Sequence, residues 1–184
     1  NSIYNNNVNT TGSSSYGIWF DIGVYNNSVY NNKINTAGGS AYGFYFSNQV
    51  YYNTLWSNII NSSASRVYFY NVTNNTFTNN TFIEGVTKTN FDIVSISNAT
   101  NNLFLNNSFN KSDVSFGAGV NNFTVQEYID INITNSTNLA EPNVKVNITN
   151  ASGTVATPVF ELTTNAIGTV GMQTVTEFIA YGLY

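Results

Sequence analysis

The sequence predicts an all-β protein: a parallel β-helix of about five coils over residues 1–124, then a small antiparallel β-sandwich-like module over residues 125–184. Three observations predict it. The first is a pattern of Asn, any residue, apolar, two residues, Asn, any residue, apolar. It reads Asn1-Ile3-Asn6-Val8, Asn27-Val29-Asn32-Ile34, Asn53-Leu55-Asn58-Ile60, Asn75-Phe77-Asn80-Phe82 and Asn102-Phe104-Asn107-Phe109. Units of this length that bury an apolar face only against their neighbours form solenoids. The second is a set of period-two runs between these units, and the third is a change of character near Asn122.

Within each coil the Asn-flanked apolar residues are short strands. Ile3, Val29, Leu55, Phe77 and Phe104 are expected to stack as one interior column, and Val8, Ile34, Ile60, Phe82 and Phe109 as another. Successive coils would then lie about 4.8 Å apart, the ordinary spacing of paired strands. A further strand follows a loop: Ile18-Trp19-Phe20, Phe44-Tyr45-Phe46, Val67-Tyr68-Phe69, and a fainter copy at Phe91-Asp92-Ile93-Val94. These runs alternate with period two, are aromatic or β-branched, and are bounded by Asn, Ser, Thr and Gly, as strands are.

The asparagines have two uses. Asn tolerates the left-handed backbone of a sharp turn between faces. A buried Asn can also bond its equivalent one coil above and below, satisfying its donors and acceptor. Asn32, Asn58, Asn80 and Asn107 are the expected ladder. No Asn-Gly dipeptide, the strongest two-residue hairpin signal, occurs in the chain.

The units NSVYNNKI, NTFTNNTF and NLFLNNSF, with GIWF and GFYF between them, resemble the parallel β-helix repeats of NosD-like and pectate-lyase-like proteins, and many archaeal surface proteins. The resemblance covers residues 1–124 and implies the fold; one fold hosts many functions. From Gln126 the runs lengthen. Ile129, Ile131 and Ile133 alternate with polar residues, as do Val144, Val146 and Ile148; Val159 to Leu162 and Thr174 to Tyr181 follow. The stretch is similar to the carboxypeptidase-regulatory-like or Ig-like modules that follow β-helices in archaeal surface proteins, and its sheet is expected to be incomplete. Asn1 already stands in the repeat register with no signal peptide before it, so a mature form or a fragment is expected.

Composition narrows the function. Charged residues are 8% of the chain, against about 25% in ordinary soluble domains, so the exterior is expected to be Asn, Ser, Thr and Tyr. A net charge of −4 with five basic residues excludes a basic surface that tracks phosphates, so nucleic acid is not an expected partner. No apolar run reaches the length of a membrane span. With no His and no Cys, the commonest general base, the thiol nucleophile and the soft metal sites are missing. Copper delivery, which the NosD resemblance would suggest, needs His, Cys or Met ligands, and the chain has Met172 alone. A lyase needs clustered carboxylates and a base. The coils offer Asp21, Glu84, Asp92, Asp113 and Arg66, with Asp92 expected in line with Trp19, Tyr45 and Tyr68 and the acids scattered over the surface. No paired acids of the glycosidase kind align. The expectation is therefore no enzyme, no cofactor and no metal.

Two groups of residues remain as candidate sites. Fourteen Asn-x-Ser/Thr sequons occur, where composition alone gives about eight, so N-glycans outside the cell are expected. Asn9, Asn26, Asn61, Asn71, Asn74, Asn98, Asn110, Asn122, Asn132, Asn135, Asn147 and Asn150 are the candidates; Asn79 and Asn106, beside ladder positions, are set aside as structural. The second group is aromatic. Tyr4, Tyr30 and Trp56, and in another column Trp19, Tyr45 and Tyr68, should point outward and stack. Such columns stabilise a solenoid surface, contact another subunit or stack on sugar rings. The function expected is an extracellular, N-glycosylated structural protein of the cell surface, self-associating into a filament or layer through open β edges. The alternatives are an adhesin that binds polysaccharide through the aromatic columns and, behind it, a polysaccharide lyase or hydrolase.

Overall fold

A computed structural model of the chain describes residues 1–83, 92–148 and 161–182. Glu84, Phe91 and Asn150 lie outside the described residues. The described residues contain strands and turns and no helix. They form a parallel β-solenoid of about four turns with a small antiparallel sheet toward the C-terminus.

The solenoid has three faces. The first holds β1 (Ser2–Tyr4), β4 (Ser28–Tyr30), β7 (Thr54–Trp56), β10 (Thr76–Thr78), β13 (Asn102–Leu105), β15 (Asn121–Ile129) and β18 (Gln173–Gly182), in that order. The second holds β2 (Asn7–Thr11), β5 (Lys33–Ala37), β8 (Ile59–Ser62) and β11 (Thr81–Ile83). The third holds β3 (Ile18–Phe20), β6 (Phe44–Tyr51), β9 (Val67–Thr73), β12 (Ile93–Ser97) and β14 (Val114–Phe116). The register is the one the repeat predicts. Ile3 pairs with Val29, Val29 with Leu55, Leu55 with Phe77 and Phe77 with Phe104. Val8, Ile34, Ile60 and Phe82 form the second column. From Val29 and Ile34 onward both columns are buried, because period two sends every second side chain inward.

Two asparagine ladders run through the coils. Asn32 Oδ1 accepts from the Asn6 backbone N–H and Nδ2, both at 3.0 Å. Asn58 accepts in the same way from Asn32, Asn80 from Asn58, and Asn107 from Asn80. A parallel ladder joins Asn27, Asn53, Asn75 and Asn102. From Asn32 and Asn53 onward each Nδ2 also reaches a backbone carbonyl of the preceding coil; Asn58 donates to Val29 O at 2.9 Å.

The turn role and the ladder role fall on different residues, where the sequence suggested one Asn for both. The left-handed residue is the one just before each ladder Asn: Asn5, Asn26, Asn31, Asn74, Asn79, Asn101 and Asn106, with Tyr52 and Ser57 at the same place in the third coil. The first residue of each pair turns the chain and the second bonds.

Glycine marks a close approach between faces. A Cβ on Gly17 would stand 2.2 Å from Ile34 Cγ2, and one on Gly43 2.3 Å from Ile60 Cγ2. The residue next along this column is Arg66, whose backbone carbonyl accepts from the Phe44 N–H. There the corresponding second-face residue is Phe82, which has no branch at Cβ.

By contacts the chain forms two compact units, Asn1–Val125 together with the stretch from Phe178, and Gln126–Glu177. In the second, β16 (Lys145–Asn147) and β17 (Glu161–Thr163) pair antiparallel, with Val146 opposite Leu162. Thr164 is buried and donates to Glu141 O at 2.7 Å while accepting from the Val144 N–H. Ile131 and Ile133, expected to prolong a strand, follow the end of β15; single bridges join Asn132 to Thr169 and Thr134 to Ala140.

Candidate surface sites

The first-face aromatic column is a true stack. Tyr4 and Tyr30 lie 5.0 Å apart at 3°, and Tyr30 and Trp56 4.3 Å apart at 6°. These residues follow inward-facing ones by a single position, so the pleat turns them outward.

The third-face column is richer than the sequence showed. Tyr45 and Tyr68 stack at 5.1 Å, but Tyr16 and Tyr42, from the segments ahead of β3 and β6, slot in beside them. Tyr16 stacks on Tyr45 at 4.4 Å and Tyr42 on Tyr68 at 4.6 Å. Tyr16 and Tyr42 are also 26 residues apart, a recurrence that would have revealed them. Trp19 is the exception in this cluster. It stands at 75° to Tyr16 and 73° to Tyr45, stacked on neither, and is 56% exposed. A further stacked pair, Tyr25 and Tyr51 at 5.1 Å, also escaped the sequence reading.

Crowding raises the tyrosine pKa values. Tyr68 is pushed up to about 12, first by burial and then by Tyr42, Tyr45 and Tyr16, whose phenolates would repel its own. Tyr42 and Tyr45 are raised for the same reasons, burial first.

The sequons and the ladders divide the asparagines cleanly. Asn32, Asn53, Asn58, Asn75, Asn80, Asn102, Asn107 and Asn121 are buried, and none begins a sequon. For the ladder residues the cause is register: two residues after a ladder Asn comes an inward apolar side chain, which cannot be Ser or Thr. Asn9, Asn26, Asn61, Asn98, Asn132 and Asn147 are exposed; Asn71, Asn74, Asn110, Asn122 and Asn135 are half-buried. Several are engaged. Asn9 Oδ1 accepts from Asn35, Asn135 Oδ1 closes a turn onto the Thr137 N–H, and Asn110 Nδ2 donates to Asp113. Asn79 and Asn106 are exposed as well, and Asn106 Nδ2 donates to Asn79 Oδ1 at 2.7 Å.

The acids are placed differently from the sequence expectation. Asp92 falls in line with Arg66 and Asp113, two positions before the aromatic column, where Val94 stands instead. It is not a surface acid: Asp92 is 1% exposed and Arg66 3%. Their side chains pair at 3.2 Å. Arg66 also donates from Nε and Nη2 to Ile83 O, and Asp92 Oδ2 accepts the Asn110 N–H at 2.8 Å. A buried charge needs such partners, since an unpaired one is strongly destabilising. No group of three or more His, Cys, Asp or Glu that would hold a metal occurs among the described residues. No helix among them is long and apolar enough to cross a membrane. Comparison with known protein families, with characterised proteins and with solved structures finds no match for the chain.

Proposed function

We propose that the chain is an extracellular, N-glycosylated structural protein of the cell surface, a non-enzymatic solenoid that associates with other chains through open β edges into a filament or layer. The division of the asparagines carries this reading: the buried ones hold the coils together, while the described sequon asparagines are all exposed or half-buried. Exposed amides are the ones a glycosylating enzyme can reach. Few charges and many polar amides and hydroxyls suit a surface that glycans finish solvating. The likeness of the repeat to NosD-like and archaeal surface proteins belongs to this reading, with no family match to support it.

The test is peptide mapping of native material by mass spectrometry. Glycan mass on Asn61, Asn98 or Asn147 is the expected result, and bare asparagines at all three overturn the glycoprotein reading. Electron microscopy of the same material tests assembly: ordered polymers are expected, and isolated monomers at high concentration count against it.

One observation favours a second reading, polysaccharide binding. A sugar ring stacks on an aromatic face that no other ring occupies, and Trp19 is exposed and unstacked while Trp56 lies against Tyr30. Quenching of Trp fluorescence by soluble glycans, abolished by Trp19→Phe and kept by Trp56→Phe, would select that reading.

A further inference from the structure

A glycosylating enzyme has to hold the amide and the hydroxyl of a sequon in one site, so it must close around the three-residue segment. The folded coils leave no room for that. In the sequons of Asn61, Asn71, Asn74, Asn98 and Asn122 the middle residue is Ser62, Val72, Asn75, Ala99 or Phe123, each buried, while the residues on either side are exposed or half-buried. The backbone between them has a coil on each side, at about the 4.8 Å of paired strands. Thr76 of the Asn74 sequon pairs with Thr54 before it and Leu103 after it. Asn75 shows what lifting such a segment breaks. Its N–H and Nδ2 donate to Asn102 Oδ1, its Nδ2 also to Val50 O and Thr73 O, and its Oδ1 accepts from the Asn53 N–H and Nδ2. Further along the chain, Asn132 and Thr134 of another sequon are bridged to Thr169 and Ala140.

The sequon of Asn135 is arranged differently. It forms a turn, in which the Asn135 N–H donates to Leu139 O and the Asn138 N–H to Asn135 O, both at 2.9 Å. Asn135 Oδ1 accepts from the Thr137 N–H at 2.9 Å, the Thr137 hydroxyl at 2.8 Å and the Leu139 N–H at 3.0 Å. The carboxamide and the sequon hydroxyl therefore stand side by side. Asn135 is half-buried, but Ser136, the middle residue, and Thr137 are both exposed. Asn135 Nδ2, the atom that takes the sugar, makes no hydrogen bond among the described residues. Asn110 makes a similar turn, its Oδ1 accepting from the Ser112 N–H at 3.2 Å and hydroxyl at 2.7 Å, but its Nδ2 is held by Asp113 at 3.1 Å.

We infer that Asn135 is the sequon at which the folded chain accepts an N-glycan, and that the coil sequons accept one only before their coils close. The inference rests on the glycoprotein reading and adds which sites are open at which stage. The donor is an oligosaccharide joined through its anomeric carbon to a polyprenyl phosphate or diphosphate. The bond from Asn135 Nδ2 to that carbon forms as the carbon–oxygen bond to phosphate breaks. The lipid phosphate leaves with the bonding pair, one amide proton is released, and Thr137 is unchanged.

The chain made without glycans tests this. The intact folded chain, and the peptides of the same chain after proteolysis, are each incubated with a single-subunit oligosaccharyltransferase and its lipid-linked oligosaccharide. Mass spectrometry then maps occupancy at each site. Dividing occupancy in the folded chain by occupancy in the peptides removes the enzyme's preference for local sequence. The expected ratio at Asn135 is at least about tenfold above that at Asn71, Asn74 and Asn98, whose segments have to open first. Equal ratios, or higher ones on the coils, overturn the inference. So does an Asn135 that is accepted as a peptide and refused in the folded chain. Transfer to none of the peptides overturns it together with the sequon reading. Mapping of native material is separate. Bare asparagines there sink the glycoprotein reading whatever the ratios, and glycans there with equal ratios leave that reading standing while this inference falls.

Discussion

Replacing Asn58 by alanine probes the bond that holds the coils together. Asn58 is fully buried, and its side chain makes four hydrogen bonds: Oδ1 accepts from Asn32 N–H and Nδ2, and Nδ2 donates to Val29 O and Asn80 Oδ1. After truncation most of the partners keep other bonds. Asn80 Oδ1 still accepts the Asn58 backbone N–H, and Asn32 Nδ2 still reaches Ile3 O and Tyr30 O. The Asn32 backbone N–H, itself buried, loses its acceptor. One orphaned N–H costs about 1–3 kcal/mol. With the remaining side-chain bonds and the small void, the expected loss is about 2–4 kcal/mol. Asn35→Ala is the matched control. Asn35 bonds Asn9 across the same 26-residue step, but in an exposed pair, so its loss should stay within about 0.5 kcal/mol. Urea unfolding of the two variants against the parent chain measures both. A loss for Asn58→Ala below about 1 kcal/mol, or equal to that of Asn35→Ala, would refute the view that buried amides rather than apolar stacking alone fix the coils.

Three further outcomes are expected. Gly43→Ala puts a Cβ 2.3 Å from Ile60 Cγ2 and 2.7 Å from Arg66 O; it should destabilise by about 1–3 kcal/mol in thermal or urea unfolding, and an unchanged midpoint would show that the faces separate freely there. Ser57→Asn should stabilise by about 0.5–1 kcal/mol, because Ser57 holds a left-handed backbone (φ 54°) that Asn adopts more readily; a loss of stability would contradict that reading of the Asn-Asn pairs. At alkaline pH the tyrosine cluster should weaken the fold. Tyr68 has a folded pKa of about 12 against an ordinary 10.0. The folded chain therefore holds its proton where the unfolded chain has lost it. The stabilisation is fully present below pH 10 and is lost as pH rises toward 12. Phenolate absorbance should show a late-titrating fraction in the folded chain that merges with the rest on denaturation. Its absence would mean the tyrosines are not crowded.

The sequence by itself determined the coil. Its Asn-x-apolar spacing fixes which side chains stack, since register follows from a period-two pleat repeated at nearly constant intervals. For that reason the interior columns from Ile3 to Phe104 and the ladder from Asn32 to Asn107 were legible residue by residue. The tertiary structure decided what depends on position across the coil rather than along it. Only there does Asp92 meet Arg66: the pairing of β12 with β9 sets Val94 beside Tyr68 and leaves Asp92 two places from the position the repeat suggested. The 26-residue spacing of Tyr16 and Tyr42 marks them as a recurring pair, but their insertion against the strand tyrosines depends on the loops that carry them. The assignment of left-handed geometry to the residue before each ladder Asn needed backbone angles, since both residues of an Asn-Asn pair are equally suited to either task.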